Sequence, residues 1–321
     1  MNYIKFTDVH PGDSFDRPVL VSSYSESIAK NGKTFLKFKI KDGYSDVMAT
    51  MFDTNSAIMK ANGIEQDTIA DVKISVNEYQ GTPSYIINDI QRSVDSTISI
   101  NDFIKLPPID INTMFNEIID IVKNSNKTSD KTFDPISILT IKILEDYKEQ
   151  YITSSAAISM HHNLRGGIIY HSYRMVKRAD CLCNIYDSLD REILVCGAAL
   201  HDIGKIWEYK TSISGEAEFT KSGVLFGHLY LGANLISKYV KTGNYNPERI
   251  RHLIHLILSH HGSQEYGAVV APATAEAFTL HFIDNMDARI YACNDIQEGL
   301  DKGSITDKKP FGFENRIYNP K

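Results

Sequence analysis

The sequence has little of what marks an exported or membrane-bound protein. Its four cysteines form no CxxC pair, so we expect reduced residues without a chemical role. No segment approaches the roughly 18 apolar residues that cross a bilayer, and the N-terminus lacks a basic-then-apolar signal layout. We therefore expect a cytoplasmic protein that does not associate with membranes.

An excess of positive charge is also absent. Lysine and arginine number 34 against 40 aspartates and glutamates, which gives a formal charge of −6. Any binding of nucleic acid must therefore come from a local basic surface and not from the molecule as a whole. The 321 residues, 42% of them hydrophobic, are enough for about two globular domains.

Up to about residue 95 the hydrophobicity alternates with period two. In TFLKFKIK (34–41), Leu36, Phe38 and Ile40 fall on one face, and Phe35, Lys37, Lys39 and Lys41 on the other. Tight turns are predicted at residues 42–43 and 80–83. Five or so short strands with one helix favour a closed all-β barrel over residues 1–95.

From about residue 111 the period changes to 3.6, which predicts helices. Residues 96–155 are expected to form a helical linker and the start of a helical domain, and residues 156–321 its main part with a C-terminal tail. Within the linker, the run 134–152 predicts one long helix with Asp134 as its cap and Pro135 at its first position. The predicted fold class is thus multi-domain, an all-β barrel followed by an all-α helical bundle.

The helical half contains an ordered set of histidines and aspartates. They are His171, the adjacent pair His201-Asp202, His228, the pair His260-His261, and Asp284. Imidazoles and carboxylates are the ligands that divalent transition metals prefer when no thiolate is offered. Asp202 lies in an apolar run, where burying even a neutral polar group without a partner costs on the order of 2–7 kcal/mol. A metal would remove that cost, so the pattern predicts a metal-dependent hydrolase.

This number of candidate ligands exceeds the need of one ion and favours a two-metal site. On its helix, His260 shares an apolar stripe with Leu253 and Ile257, whereas His261 lies about 100° around and could reach a metal from the helix end. Asp287, one turn after Asp284, is expected either to support the site or to lie on the helix surface.

The order and the amino-acid sequences of these segments resemble the HD superfamily of metal-dependent phosphohydrolases and, within it, the YhaM-type 3′→5′ exoribonucleases of Gram-positive bacteria. The matching segments are HHNLRGGIIYHSYRM, GAALHDIGKIWE, FTKSGVLFGHLYLG, LILSHHGSQEYGA, LHFIDNMDARI and FGFENRIYNP. The first half resembles the oligonucleotide-binding (OB) barrel that this family carries in front of its HD domain. The resemblance covers nearly the whole chain, in order.

The resemblance implies roles for individual residues. His171, His201, Asp202 and Asp284 would bind one metal ion, and His228 and His260 would complete a second position bridged by Asp202; whether His261 replaces or joins His260 stays open. Asp202, Lys205 and His228 are expected to be catalytic, with Lys205 neutralising a substrate phosphate, and His161, His162 and Arg165 to bind substrate near the entrance. One or two divalent ions are expected, Mn(II) first, with Co(II), Fe(II) or Zn(II) as alternatives.

The barrel is expected to bind the substrate strand outside the active site. Lys37, Lys39 and Lys41 supply a basic stripe, and Tyr79 and Tyr85 flank the second hairpin turn. Single strands are held by such a groove together with aromatic stacking. The alternative is that these lysines are only solvated and these tyrosines only pack.

The sequence is compatible with three functions. The leading one is a metal-dependent 3′→5′ exonuclease that hydrolyses single-stranded RNA to nucleoside monophosphates, with single-stranded DNA left open as a second substrate. The second is an HD phosphohydrolase of a small nucleotide or cyclic nucleotide, which would not need a strand-binding handle. The third is a non-catalytic single-strand-binding protein, which the intact ligand set disfavours. The sequence leaves processivity and homo-oligomerisation open.

Overall fold

The computed structural model describes residues 3–127, 131–156 and 164–321. These residues form two compact units. One runs up to Leu106 and includes Thr211–Glu216, and the other comprises Pro107–Lys210 and Ala217–Lys321. No helix within the described ranges is long and apolar enough to cross a membrane.

The first unit is a closed five-stranded barrel. Its strands are β1 (Ser14–Ile28), β2 (Thr34–Lys41), β3 (Asp46–Phe52), β4 (Thr68–Tyr79) and β5 (Thr82–Arg92), with the helix α1 (Ser56–Ala61) between β3 and β4. The strand order is β1-β2-β3-β5-β4, and the barrel closes where β4 pairs with β1. Only the β3–β5 pairing is parallel among these strands. The barrel is OB-like, which confirms the predicted N-terminal fold.

The period-two alternation of β2 decides which side chains fill the barrel. Leu36, Phe38 and Ile40 are fully buried, while Lys37, between two of them, is exposed. This agrees with the predicted division of faces, because successive side chains of a strand point to opposite sides of the sheet.

A buried ion pair fixes the turn between β2 and β3 against β1. Asp42 accepts hydrogen bonds from the backbone N–H groups of Phe6, Tyr44 and Ser45, and from the guanidinium of Arg17 at 3.1 Å. The Arg17 and Asp42 side chains are 4% and 0% exposed. Both carboxylate oxygens are therefore satisfied within the barrel, as a buried charge requires.

The second unit is a helical bundle. Its helices are α2 (Ile111–Lys123), α3 (Ile136–Asp146), α4 (Lys148–Thr153), α5 (Gly167–Leu182), α6 (Arg191–Leu200), α7 (Lys205–Glu208), α8 (Lys221–Tyr239), α9 (Pro247–Ser259) and α10 (Ala275–Glu298). Between α7 and α8 the chain forms two short strands, β6 (Tyr209–Thr211) and β7 (Ala217–Phe219), which pair with each other. The predicted helical second half is confirmed.

The prediction of one long helix over residues 134–152 is wrong. The chain breaks at Tyr147, whose backbone lies outside the helical region, so α3 and α4 are separate. Nor does Asp134 cap α3: Pro135 stands at the N-cap, and the Asp134 carboxylate accepts from the backbone N–H of Asn244. Because the Asp134 carboxylate forms this long-range hydrogen bond, it is not available to cap α3 as the local pattern predicts.

Helix α6 is the centre of the bundle. Every residue from Glu192 to Leu200 is buried, and α5, α3, α9 and α10 all pack against it. At Gly197 a Cβ atom would lie 2.5 Å from Leu256 Cδ2, so a larger residue there would require the Leu256 side chain of α9 to shift. Because α6 ends at Leu200, the pair His201-Asp202 emerges at the end of the most buried helix.

We predict that Asp42→Ala destabilises the barrel by about 3–5 kcal/mol, because it leaves the buried Arg17 charge and three backbone donors without their acceptor. Hydrogen–deuterium exchange of the full chain measures this, with α6 peptides as an internal reference. Exchange should become faster in β1 and β2 and stay unchanged in α6. Unchanged exchange in β1 would show that the pair does not stabilise the barrel.

Candidate metal centre

Five helices or helix ends bring the seven predicted ligand side chains together. His171 comes from α5, His201 and Asp202 from the end of α6, His228 from α8, His260 and His261 from the end of α9, and Asp284 from α10. Within the described part of the chain, two groups have the spacing of metal ligands: His171, His201 and Asp202, and His228, His260 and His261.

The first group surrounds one oxygen of Asp202. His171 Nε2 lies 3.0 Å from His201 Nε2 and 3.0 Å from Asp284 Oδ1. Asp202 Oδ2 lies 3.8 Å from His171 Nε2 and 3.5 Å from His201 Nε2. Two imidazole nitrogens and two carboxylates therefore converge, which is a donor set suited to a divalent transition metal.

The second group surrounds the other oxygen of the same carboxylate. Asp202 Oδ1 lies 3.6 Å from His228 Nε2 and 3.8 Å from His260 Nε2. Asp202 Oδ1 and His228 Nε2 are buried, and neither has a hydrogen-bond partner within the described part of the chain. Buried polar atoms normally have a hydrogen-bond partner. Asp202 Oδ1 and His228 Nε2 face each other at 3.6 Å, which is too far for a hydrogen bond, so a cation bound between them would provide the missing partner.

In each of the five histidines among the candidate ligands, the Nδ1 atom forms a hydrogen bond with an oxygen. The partners are Asp287 for His171, Ala198 O for His201, Glu208 for His228, Ile257 O for His260 and Tyr266 O for His261, all at 2.9–3.1 Å. Carbonyl and carboxylate oxygens accept hydrogen bonds, so each Nδ1 donates. In the neutral ring, Nε2 then carries the free lone pair that a metal requires.

Asp287 belongs to the site and not to the helix surface. Its side chain is fully buried, with Oδ2 2.9 Å from His171 Nδ1. Its other oxygen forms ion pairs with Arg174 at 2.9 Å and with Arg178 at 2.6 Å. Both arginines lie on α5 with His171, so one helix carries the ligand and the cations that hold its supporting carboxylate.

Glu208 is the site residue that sequence reasoning misses. It is buried at the end of α7, and its carboxylate accepts from both the backbone N–H and Nδ1 of His228, at 3.0 and 3.1 Å. The sequence shows only that Glu208 lies between two aromatic residues, Trp207 and Tyr209, and this does not identify its partner. The contact depends on the packing of α8 against α7.

The charges of the centre follow from burial and neighbours. Burial favours the neutral form of Asp202, but Lys205, whose Nζ lies 2.7 Å from Oδ2, and the histidines hold the pKa of this carboxyl well below its ordinary value. Burial alone would lower the pKa of His171, yet Asp284 and Asp287 raise it to about 9. Burial lowers the pKa of His201, His260 and His261.

A small cavity opens onto this centre. Its volume is about 100 Å³. It is lined by Ala156, His171, Asp202, Lys205, His260, His261, Asp284 and Ala288. The cavity thus reaches ligands of both groups and the ammonium of Lys205. His161 and His162 lie outside the described residues, and Arg165 is half-buried just before α5.

The predicted contacts on the barrel differ in accessibility. Lys37 is exposed, but Lys39 and Lys41 both pair with Glu216 of the same unit, at 3.0 and 2.8 Å. Tyr79 is 66% exposed. Tyr85 donates a hydrogen bond to the carbonyl of Phe6 and stacks edge-on against its ring. Lys37 and Tyr79 are therefore open to a ligand, whereas the other three already have partners.

Comparison with known proteins identifies the helical segment. The HD domain family matches residues 168–289, a range that contains all seven candidate ligands. HD domains are metal-dependent, so the donor set agrees with the chemistry of the family that matches it.

Similarity to individual relatives extends over both units. The chain is 31% identical to the 3′-5′ exoribonuclease YhaM of Bacillus velezensis and to that of Bacillus subtilis, over 96% of this chain and 96% of each relative. The YhaM of a Geobacillus species is 30% identical over 96% of this chain and 93% of its own length.

Among solved structures, the chain is similar to the second OB-fold domain of replication protein A from Methanococcus maripaludis. The sequences are 17% identical, the TM-score is 0.24, and the match covers 31% of this chain and all of that domain. The barrel is OB-like by its strand order, β1-β2-β3-β5-β4.

We predict that metal affinity rises with pH up to about pH 9. The raised pKa keeps His171 protonated at pH 7, so a metal that binds its Nε2 must displace a proton. The other shifted rings are already neutral there, because their pKa values are lowered. Apparent affinity should therefore increase about tenfold per pH unit between about pH 6 and 8.

Titration calorimetry with Mn(II), in buffers of different ionisation enthalpy, measures the proton released. Asp287→Asn provides the comparison, since losing this carboxylate should lower the pKa of His171 and flatten the slope near pH 8. An affinity independent of pH in the unmodified protein would contradict the protonation of His171.

Proposed function

Since the chain belongs to the YhaM family of 3′–5′ exoribonucleases, we propose that this metal-dependent 3′–5′ exonuclease degrades single-stranded RNA to nucleoside monophosphates. One observation supports the proposal most strongly: the two oxygens of Asp202 face two separate groups of imidazole nitrogens. A carboxylate in this position can bridge two cations, as nucleases with two metal ions require.

The residues that would hold the ions divide into two sets. His171, His201, Asp202 and Asp284 would hold one, and Asp202, His228, His260 and His261 the other. Divalent ions held by these residues would supply the activation of water for attack on phosphorus and the stabilisation of charge on the leaving oxygen. We propose Mn(II) at both positions, as the resemblance to the family implies. The histidine-rich set disfavours Mg(II), which prefers oxygen ligands and retained waters, and leaves Co(II), Fe(II) and Zn(II) as alternatives.

Lys205 is proposed to neutralise the scissile phosphate. Its ammonium lines the same cavity as the ligands and pairs with Asp202 Oδ2. Cations that take over part of the charge on Asp202 would weaken that ion pair. The Lys205 charge would then be available to a phosphate oxygen, which is the group that develops further negative charge during hydrolysis.

The size of the cavity favours entry of a phosphate group without its nucleoside. Pockets that enclose a small organic ligand measure roughly 300–1,000 Å³, whereas this one measures about 100 Å³. It suits a phosphodiester group that enters while the rest of the strand stays outside. The strand then needs a second binding surface, for which we propose the barrel, with Lys37 and Tyr79 as direct contacts.

We also propose a cytoplasmic location. Cys181, Cys183, Cys196 and Cys293 are all free thiols. Such thiols persist in reducing compartments, where disulfides are rare.

We predict that RNA labelled at its 5′ end is shortened stepwise from the 3′ end when Mn(II) is present. Chelator should stop the reaction, and blocking the 3′-hydroxyl should protect the strand. Asp202→Ala should lower the rate by at least about a hundredfold, because it removes the carboxylate shared by both ligand sets. Gel electrophoresis of the products measures this.

The same assay tests the alternatives. Single-stranded DNA and a cyclic nucleotide serve as parallel substrates, and a duplex RNA as the structural control. Products that shorten from the 5′ side, or turnover of the cyclic nucleotide but not of RNA, would exclude the proposed activity.

We predict that Lys37→Ala weakens single-strand binding and reduces the slope of log affinity against log salt by roughly 0.7, because one phosphate contact is lost. Filter binding with the Asp202→Ala protein measures affinity without cleavage. Lys60→Ala, which removes an exposed lysine of α1, is the matched control and should leave both quantities unchanged. Equal effects of the two substitutions would show that Lys37 contributes only to the general charge.

A further inference from the structure

We propose that Glu208 is the positioning residue for His228 and that it strengthens the binding of an ion at the second metal position. The inference rests on the proposed function, since it concerns the same metal centre. No local pattern pairs Glu208 with His228, which lies 20 residues further along the chain, and Glu208 contacts His228 and not the reacting atoms.

Two hydrogen bonds fix His228. One oxygen of Glu208 accepts from the backbone N–H of His228 at 3.0 Å and from its Nδ1 at 3.1 Å, and the second oxygen lies 3.0 Å from the same Nδ1. The carboxylate therefore holds both the main chain and the ring. With Nδ1 as the donor, Nε2 carries the lone pair and faces Asp202 Oδ1 at 3.6 Å.

The backbone around His228 is built to reach Glu208. Gly227 has φ of 66° and ψ of 161°, which interrupts α8 immediately before His228 and frees the His228 N–H from the helical ladder. At Gly204, immediately before α7, a Cβ atom would lie 2.0 Å from the His228 carbonyl oxygen, so a side chain there would push α7 away from α8. Gly227 thus frees the donor of the Glu208 contact, and Gly204 allows the close packing that the contact requires.

Glu208 differs from the other groups that hold ligand histidines. His201, His260 and His261 are held by backbone carbonyls, which no side-chain substitution removes. Asp287, which holds His171, is itself neutralised by Arg174 and Arg178. In the described ranges Glu208 forms an ion pair with His228 and with no arginine or lysine, so its charge acts on the imidazole and makes it a stronger metal ligand.

The test is a Mn(II) titration of the full-length protein, followed by the loss of the free-ion EPR signal. The unmodified protein should bind two ions. In Glu208→Ala one of the two ions should bind about 10–100-fold less tightly, which is the usual cost of losing such a support, and the other ion should be unaffected. Glu208→Gln should lose less, because one amide oxygen can accept both hydrogen bonds.

Glu192→Gln is the matched control. Glu192 is an equally buried glutamate of the helical unit that accepts from Ser137 and Arg249 and contacts no candidate ligand. Its substitution should reduce thermal stability without changing either Mn(II) affinity. This separates an effect on His228 from a general loss of packing.

A second measurement reports the tautomer directly. Long-range ¹H–¹⁵N spectra of ¹⁵N-histidine-labelled protein should show His228 protonated at Nδ1 in the unmodified and Glu208→Gln proteins. A mixture of tautomers is expected in Glu208→Ala. If Glu208→Ala does not fold, the comparison of Glu208→Gln with Glu192→Gln decides the matter, and equal Mn(II) affinities in these two proteins would overturn the inference.

The outcomes separate this inference from the proposed function. An unmodified protein that binds none of Mn(II), Co(II), Fe(II) and Zn(II) would refute the metal centre itself. Two ions bound with unchanged affinities in Glu208→Ala would leave the proposed function intact and exclude Glu208 as a determinant of the second position.

Discussion

The helical unit depends on one constraint, which is that two groups of candidate ligands share the carboxylate of Asp202. Asp202 is buried, stays ionised and presents one oxygen to each ligand group. A buried charge of this kind is tolerated only where several partners compensate it. The surrounding helices can be understood from this requirement, because α5, α8, α9 and α10 each contribute a group that faces the end of α6.

Rigidity at the end of α6 has a structural origin. The helix is enclosed on all sides, so its last residues cannot move without disturbing the packing of its neighbours. Metal sites need ligands held to within a fraction of an ångström, and helices supply this better than loops. The hydrogen bonds at every Nδ1 complete the arrangement, because they fix the rotation of each ring as well as its protonated nitrogen.

Much of this could be predicted from the sequence, and what could not has a common cause. Period-two alternation in β2 and the ordered histidines and aspartates are local signals, and they predict the barrel and the candidate ligands. The hydrogen bonds of Asp134 and of Glu208 involve residues distant in sequence, Asn244 and His228, and no local pattern contains such partners. The same holds for Lys39 and Lys41, whose pairing with Glu216 spans most of the chain.

The membership of Thr211–Glu216 in the barrel unit has a consequence for biosynthesis. Asp67 accepts from the backbone N–H groups of Ile213 and Ser214, and Glu216 neutralises two lysines of β2. These partners are translated more than a hundred residues after the strands they contact. When β5 has just emerged from the ribosome, the nascent chain therefore still lacks part of its first folded unit. That unit is complete only once α5, α6 and α7 have also been synthesised.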